Sequence, residues 1–197
     1  MNTPQSKYSL MVIKPDAIKQ ILNVNILKDL EDRGFNVVKH KLCRLNETQA
    51  GELYQEKKDF NYYPLLKKHM ASGQSLCLIL KMNGQDVVEK SKEYRDWARK
   101  NLKVKRFDVG KEDLDLLSKG IHPNQIEITK EMALENLIHI SDDFIQDTDI
   151  LGELFTQWDM DELKDRDLEL FSILSEAKIR SRKSREIEIS HQALENE

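Results

Sequence analysis

The chain has 197 residues with 39% hydrophobic content, which is enough to bury one full core and favours one domain plus an appendage over two domains. A net charge of −4 excludes a global attraction to nucleic acid or to acidic membranes, and no apolar stretch approaches the length that spans a bilayer. The two cysteines, Cys43 and Cys77, stand in apolar runs without metal-ligand spacing and read as reduced core residues of a cytoplasmic protein.

Tyr8 to Ile13 is an apolar run stopped by Lys14-Pro15-Asp16, a buried strand leading into a helix. Ile18, Ile21, Leu22, Ile26, Leu27 and Leu30 then recur at helical spacing, and Arg33-Gly34 closes that helix. Phe35 to Leu45 has the β-branched and apolar character of a second strand. Asn46 with Gln49 three residues on is a capping box for a helix running to about Lys58, and Pro64 starts another helical turn. Ser75 to Leu80 is a third strand, Asp86 to Lys100 a charged amphipathic helix, and Leu137 to Ile140 a fourth strand. This order is that of an α+β, ferredoxin-like βαββαβ sandwich with an antiparallel four-stranded sheet.

Two regions exceed that plan. An insertion at about 101–134 carries a basic patch and the punctuation of Gly110, Gly120 and Pro123. After the fourth strand, Phe144 to Phe155 and Asp159 to about Glu176 have helical apolar spacing. The expected division is a domain at 1–155 and a charged helical extension at 156–197, whose last dozen residues lack an apolar face and are expected to fray.

The stretch Glu135 to Asp143, ENLIHISDD, places His139 where a strand gives way to helix-capping residues, an edge that faces a cleft. The segments YSLMVIKPDAIKQ, LEDRGFNVVKHKL, ELYQEKKDFNYYPLLKKHMASGQSLCLIL, NGQDVVEK and ENLIHISDD, in this order, resemble the successive motifs of nucleoside diphosphate kinases. The resemblance covers Tyr8 to about Lys90 and Glu135 to about Phe155. It implies transfer of the γ-phosphate of a nucleoside triphosphate to a nucleoside diphosphate through a phosphohistidine. Mg²⁺ would be held on the phosphates with no dedicated protein ligands.

On that resemblance His139 matches the nucleophile, Lys14 the lysine at the phosphates, and Tyr54 the tyrosine whose hydroxyl lies near the nucleophile. Asn136 matches the asparagine at the sugar hydroxyl, while Tyr62 and Leu66, four apart, match the slot in which a base stacks. Lys92 falls where the family has its first phosphate arginine, and the second arginine has no counterpart. Arg95, Arg99 and Arg106, within RDWARKNLKVKR, are candidate replacements, with solvation beside Glu93 and Asp96 as the competing reading. Ile140 stands in place of a glycine. The carboxylate that orients the imidazole counts onto Ile150, which leaves Asp149 or Glu153. Asp142, Asp143, Asp147 and Asp149 read as acidic charge at a helix start and not as a metal site.

The expected partners are nucleoside di- and triphosphates, a second copy of the chain in a homo-oligomer, and a protein partner for the insertion or extension. No nucleic acid and no membrane are expected. The retained His139, Lys14, Tyr54 and Asn136 favour an enzyme, while the missing arginines favour a nucleotide-binding or interaction module with weakened catalysis. An RNA-binding sheet lacks the aromatics and basic surface it needs.

Overall fold

The computed structural model describes residues 6–102, 136–145 and 148–195. Lys103, Lys105, Arg106, Gly110, Gly120, Pro123 and Asp147 lie outside them. Strands β1 (Tyr8–Ile13), β2 (Asn36–Cys43), β3 (Ser75–Lys81) and β4 (Ile138–Ile140) form a four-stranded sheet in the order β2-β3-β1-β4. Every neighbouring pair is antiparallel. This is the ferredoxin-like arrangement expected from the element order.

The sheet's interior strands are mostly apolar because both of their faces are covered: all six residues of β1 and six of the seven in β3 are buried. On one face Met11, Ile13, Leu76, Leu78, Leu80, Ile138 and Ile140 form the core with Ile26 and Leu30 of helix α2 (Asn23–Asp32) and with Val87, Tyr94 and Ala98 of helix α5 (Val87–Asn101). The alternate residues Val12, Cys77 and His139 share the opposite face, in one row across three strands.

Local chemistry accounts for most boundaries. Asn46 accepts from Gln49 N–H at 2.8 Å and Gln49 returns a bond to Asn46 N–H at 3.1 Å, the expected capping box of α3 (Glu47–Leu53). A single 3-10 turn, Gln55–Lys57, carries the helical path on before α4 (Tyr63–Ala71). Asp86 caps α5 through Val88 and Glu89. Gly34 closes α2 at φ +82°, with Gly34 N–H on Glu31 O and Phe35 N–H on Leu30 O.

The first helix departs from the expectation. The apolar spacing predicts one helix from Pro15 to Arg33, but the chain forms α1 (Pro15–Lys19), a turn, and then α2. Ile21 occupies the left-handed region at φ +58° and is 73% exposed. Ile21 has the spacing of the helical stripe, but its exposed side chain marks the break.

The described chain divides into two compact units, 1–142 and 143–197. The second contains α6 (Thr148–Leu154), α7 (Gln157–Arg166) and α8 (Leu168–Glu195). The expected boundary at 155/156 would separate α6 from α8, yet the two pack backbone to backbone: a Cβ on Gly152 would lie 3.0 Å from Lys178 N. Arg180 bonds Thr148 Oγ1 and Asp149, and Lys178 Nζ donates to Phe155 O at 2.7 Å. Asp167, extended at φ −149°, breaks the single helix expected over 159–176 and accepts from Leu170 N–H at the start of α8. The backbone of α8 is helical to Glu195.

Candidate functional site

Four segments meet at the start of β4: the end of β1, the first turn of α1, the last turns of α5, and Asn136 to Ser141. Lys14, between β1 and α1, is fully buried, and its Nζ donates to Asn136 Oδ1 at 2.9 Å. Its backbone N–H donates to Leu137 O at 2.8 Å. A buried ammonium is costly unless such groups surround it.

Leu137 takes φ +67°, and Ile138 N–H reaches back to Asn136 O at 2.7 Å. The two together make a γ-turn of the strained, positive-φ kind. Its groups are held from both sides. Asp16 Oδ2 accepts Leu137 N–H at 2.8 Å while Asp16 Oδ1 accepts from His69 Nε2 at 3.2 Å. From the other side Arg99 donates Nε to Asn136 O at 3.1 Å and Nη2 to Ile138 O at 2.6 Å. The turn sets the direction in which β4 leaves and therefore where His139 sits.

His139 pairs with Val12 across β1 and lies against Tyr54, ring centroids 4.4 Å apart at 57°. Its residue is part-exposed, but Nε2 is buried and has no hydrogen-bond partner among the described residues. Burial first, then the Lys14 and Arg99 cations, push the imidazole down to about 3, against a weaker opposite pull from Asp142. The ring is therefore neutral at any physiological pH. Burial pushes the Asp16 carboxyl up, but the His69 hydrogen bond and the Lys14 charge outweigh it and hold the group below the usual carboxylate range. Burial and the neighbouring Arg95 bring Arg99 down to about 10.

Thus Lys14, Tyr54, Asn136, His139 and Arg99, drawn from positions far apart in the chain, come together. The other expected residues do so in part. Tyr54 meets the imidazole with its ring, and its hydroxyl lies 3.9 Å from Met70 Sδ. Arg99 is bound to backbone carbonyls, a different occupation from the phosphate clamp expected of it. Lys92 pairs with Asp142, and Arg95 with Asp96 at 2.8 Å. Leu66 is buried in the packing, and Tyr62 is half-buried with its ring centroid 5.3 Å from that of Phe60, so of the expected stacking pair Tyr62 alone keeps a surface. Asp149 is engaged by Arg180, and Ile150 is buried. Asp16 and His69 have no expected role, although both stand in the segments YSLMVIKPDAIKQ and ELYQEKKDFNYYPLLKKHMASGQSLCLIL. The signal was an acid two residues after a buried lysine.

A family model, described as nucleoside diphosphate kinase, matches residues 7–97. That span includes Lys14, Asp16, Tyr54, Tyr62, Leu66, His69, Lys92 and Arg95, and stops before Arg99, Asn136 and His139. The chain is 38% identical over 85 residues to the nucleoside diphosphate kinase of Desulfatibacillum aliphaticivorans, covering 43% of this chain and 60% of that one. Against the enzyme of Histophilus somni (strain 2336) it is 38% identical over 72 residues, 36% of this chain and 51% of the relative. The matched stretch thus spans between half and two thirds of these relatives. A longer match, 29% identical over 134 residues, covers 68% of this chain and 79% of the nucleoside diphosphate kinase of Sulfolobus acidocaldarius. Among solved structures, that of the Aquifex aeolicus nucleoside diphosphate kinase superposes with a TM-score of 0.52 at 22% identity, over 78% of this chain and 97% of that one. At that identity the likeness speaks for the fold.

Proposed function

Because the chain belongs to the nucleoside diphosphate kinase family, we propose that it moves the γ-phosphate of a nucleoside triphosphate to a nucleoside diphosphate through a phosphate carried on His139. The observation that carries this reading is the placement of the imidazole: packed on the Tyr54 ring at the strand end next to the buried Lys14, with Nε2 shut away and without a hydrogen-bond partner among the described residues. With Nε2 enclosed, Nδ1 is the nitrogen that meets the phosphoryl group. Its lone pair attacks phosphorus in line as the bond to the leaving β-phosphate oxygen breaks, and the second nucleotide reverses the step. Lys14 supplies positive charge where the equatorial oxygens gather it, and Asn136, oriented by the Lys14 bond, presents its amide to the sugar.

Magnesium, on the same reading, arrives on the nucleotide phosphates and neutralises their charge. The donor set suits that arrangement: Asp16 is engaged by His69 and Leu137, Asp142 by Lys92, and the described residues hold no group of three or more His, Cys, Asp or Glu able to bind a metal. Among the described residues no helix is long and apolar enough to cross a membrane.

One observation favours a second reading, a nucleotide-binding module with slow or no transfer. Three of the cations expected at the phosphates, Lys92, Arg95 and Arg99, are each engaged by groups of the protein itself. Incubation with γ-labelled ATP separates the two. The kinase reading expects an acid-labile, alkali-stable phosphoprotein that transfers its label to added diphosphate. Nucleotide binding seen by calorimetry, with no labelled protein, would select the module.

A further inference from the structure

The cysteines enter neither reading, and their arrangement is specific. Cys77 lies on β3 opposite Lys41 of β2, and Cys43 lies opposite Ser75, so the two thiols are diagonal neighbours on one face of the sheet. Their Sγ atoms are 3.6 Å apart, and both cysteines are free. Contrary to the expectation of two core residues, they differ in access: Cys77 is buried, whereas Cys43, the last residue of the edge strand β2, is part-exposed. One thiol can meet a small oxidant, and the sulfur beside it is enclosed behind it.

We propose that Cys43 and Cys77 are a peroxide-oxidised thiol pair, with Cys43 the attacking sulfur and Cys77 the resolving one. The Cys43 thiolate attacks one oxygen of a hydroperoxide, the O–O bond breaks, and the released oxygen leaves as hydroxide that takes up the proton Cys43 gave up. Cys77 sulfur then attacks the sulfenic sulfur of Cys43. The S–O bond breaks, and its oxygen departs as water carrying the Cys77 proton. Overall two thiols and one hydrogen peroxide yield one disulfide and two waters. The hydrogen bond from Cys77 and the nearby Lys41 charge hold the Cys43 thiol below its usual range, while the same hydrogen bond and burial push Cys77 up. The difference in access makes Cys43 the sulfur that a peroxide reaches and leaves the enclosed Cys77 for the second step. A diagonal pair is wider than a directly opposed one, so the bridge closes under strain and is readily reduced.

The position gives the bridge a consequence. Cys77 shares its row with Val12 and His139, and Cys43 is followed by Asn46, the cap of the helix that delivers Tyr54 to the imidazole. Closing the pair fixes the approach of α3 to the sheet.

The test treats folded wild-type protein with stoichiometric hydrogen peroxide, then quenches and denatures it under alkylation. Expected are loss of both titratable thiols, a mass two hydrogens lighter, a Cys43–Cys77 cross-linked peptide, and full reversal by dithiothreitol. In denaturant the same bridge should form at least about tenfold more slowly, because the fold supplies the proximity. In C77S the Cys43 sulfenic acid should be trapped by dimedone, and in C43S the Cys77 thiol should survive the same dose. Survival of both thiols in the wild type, a cross-link between chains, or Cys43 passing to sulfinic acid beside an intact Cys77 thiol would overturn the proposal without calling on any variant.

Discussion

An imidazole held down to about 3 binds no proton in the folded state over a range in which the unfolded chain, with an ordinary histidine near 6.5, does. Unfolding therefore takes up a proton between pH 6.5 and 3, and stability falls as pH drops through that window, by up to about 4 kcal/mol at its lower end. His139→Asn keeps the ring site filled without titrating, so its stability should decline less steeply than that of the wild type between pH 6 and 4. Urea unfolding at a series of pH values measures it, and parallel curves would show that the ring is not held neutral by the fold. The same variant should form no phosphoprotein, and the wild-type labelling rate should show no acid limb from His139 between pH 5 and 8. That Lys14, Asn136 and His139 lie together in the candidate site was legible because each is a motif letter. Asp16 and His69 were letters too, but their task, holding one backbone N–H of Leu137, depends on a contact 121 residues away in sequence and has no local signature.

Elements whose cause is local could be read directly: the apolar run of β1, the Asn46–Gln49 box and the Gly34 closure all appear where their chemistry puts them. The break between α1 and α2 could not, because a β-branched residue is the last expected at positive φ, where it costs about 1 to 2 kcal/mol. Ile21→Gly should therefore stabilise the protein by about 1 kcal/mol after the flexibility that glycine adds to the unfolded chain, with an unchanged urea dependence. No gain would mean that Ile21 makes contacts that offset its backbone. The γ-turn before β4 is the same problem solved with partners. Its carbonyls take both arms of Arg99, so Arg99→Ala leaves two acceptors without their charged donor and should lower stability by about 2 to 4 kcal/mol. It should slow phosphoprotein formation by misplacing His139 while leaving nucleotide affinity within about twofold, well short of the loss expected for a removed phosphate contact. A parallel loss of affinity and rate would return Arg99 to the phosphates.

At the scale of the whole molecule, the sandwich was readable because strand order and helix periodicity leave few ways to connect these elements, and the described residues of 1–142 follow that plan. The grouping of α6 with α7 and α8 was not, since it turns on close approach and not on an apolar stripe. The decisive position is Gly152. Its bare Cα lies against the backbone of Ala177 and Lys178, where an added Cβ would stand 3.0 Å from Lys178 N and 3.1 Å from Lys178 Cα. These are main-chain atoms of a helix, which cannot turn aside as a flexible side chain can. Gly152→Ala should accordingly force α6 and α8 apart, loosen the Arg180 bonds to Thr148 and Asp149 and the Lys178 bond to Phe155, and cost about 1 to 3 kcal/mol despite alanine's better helix propensity. Hydrogen exchange resolved along the chain locates the effect. Protection should fall in 148–180 and remain at wild-type level in β1 and β3. An unchanged pattern in 148–180 would mean that α6 and α8 adjust to a methyl group without cost. Equal loss in β1 and β3 would mean that the two units do not unfold separately.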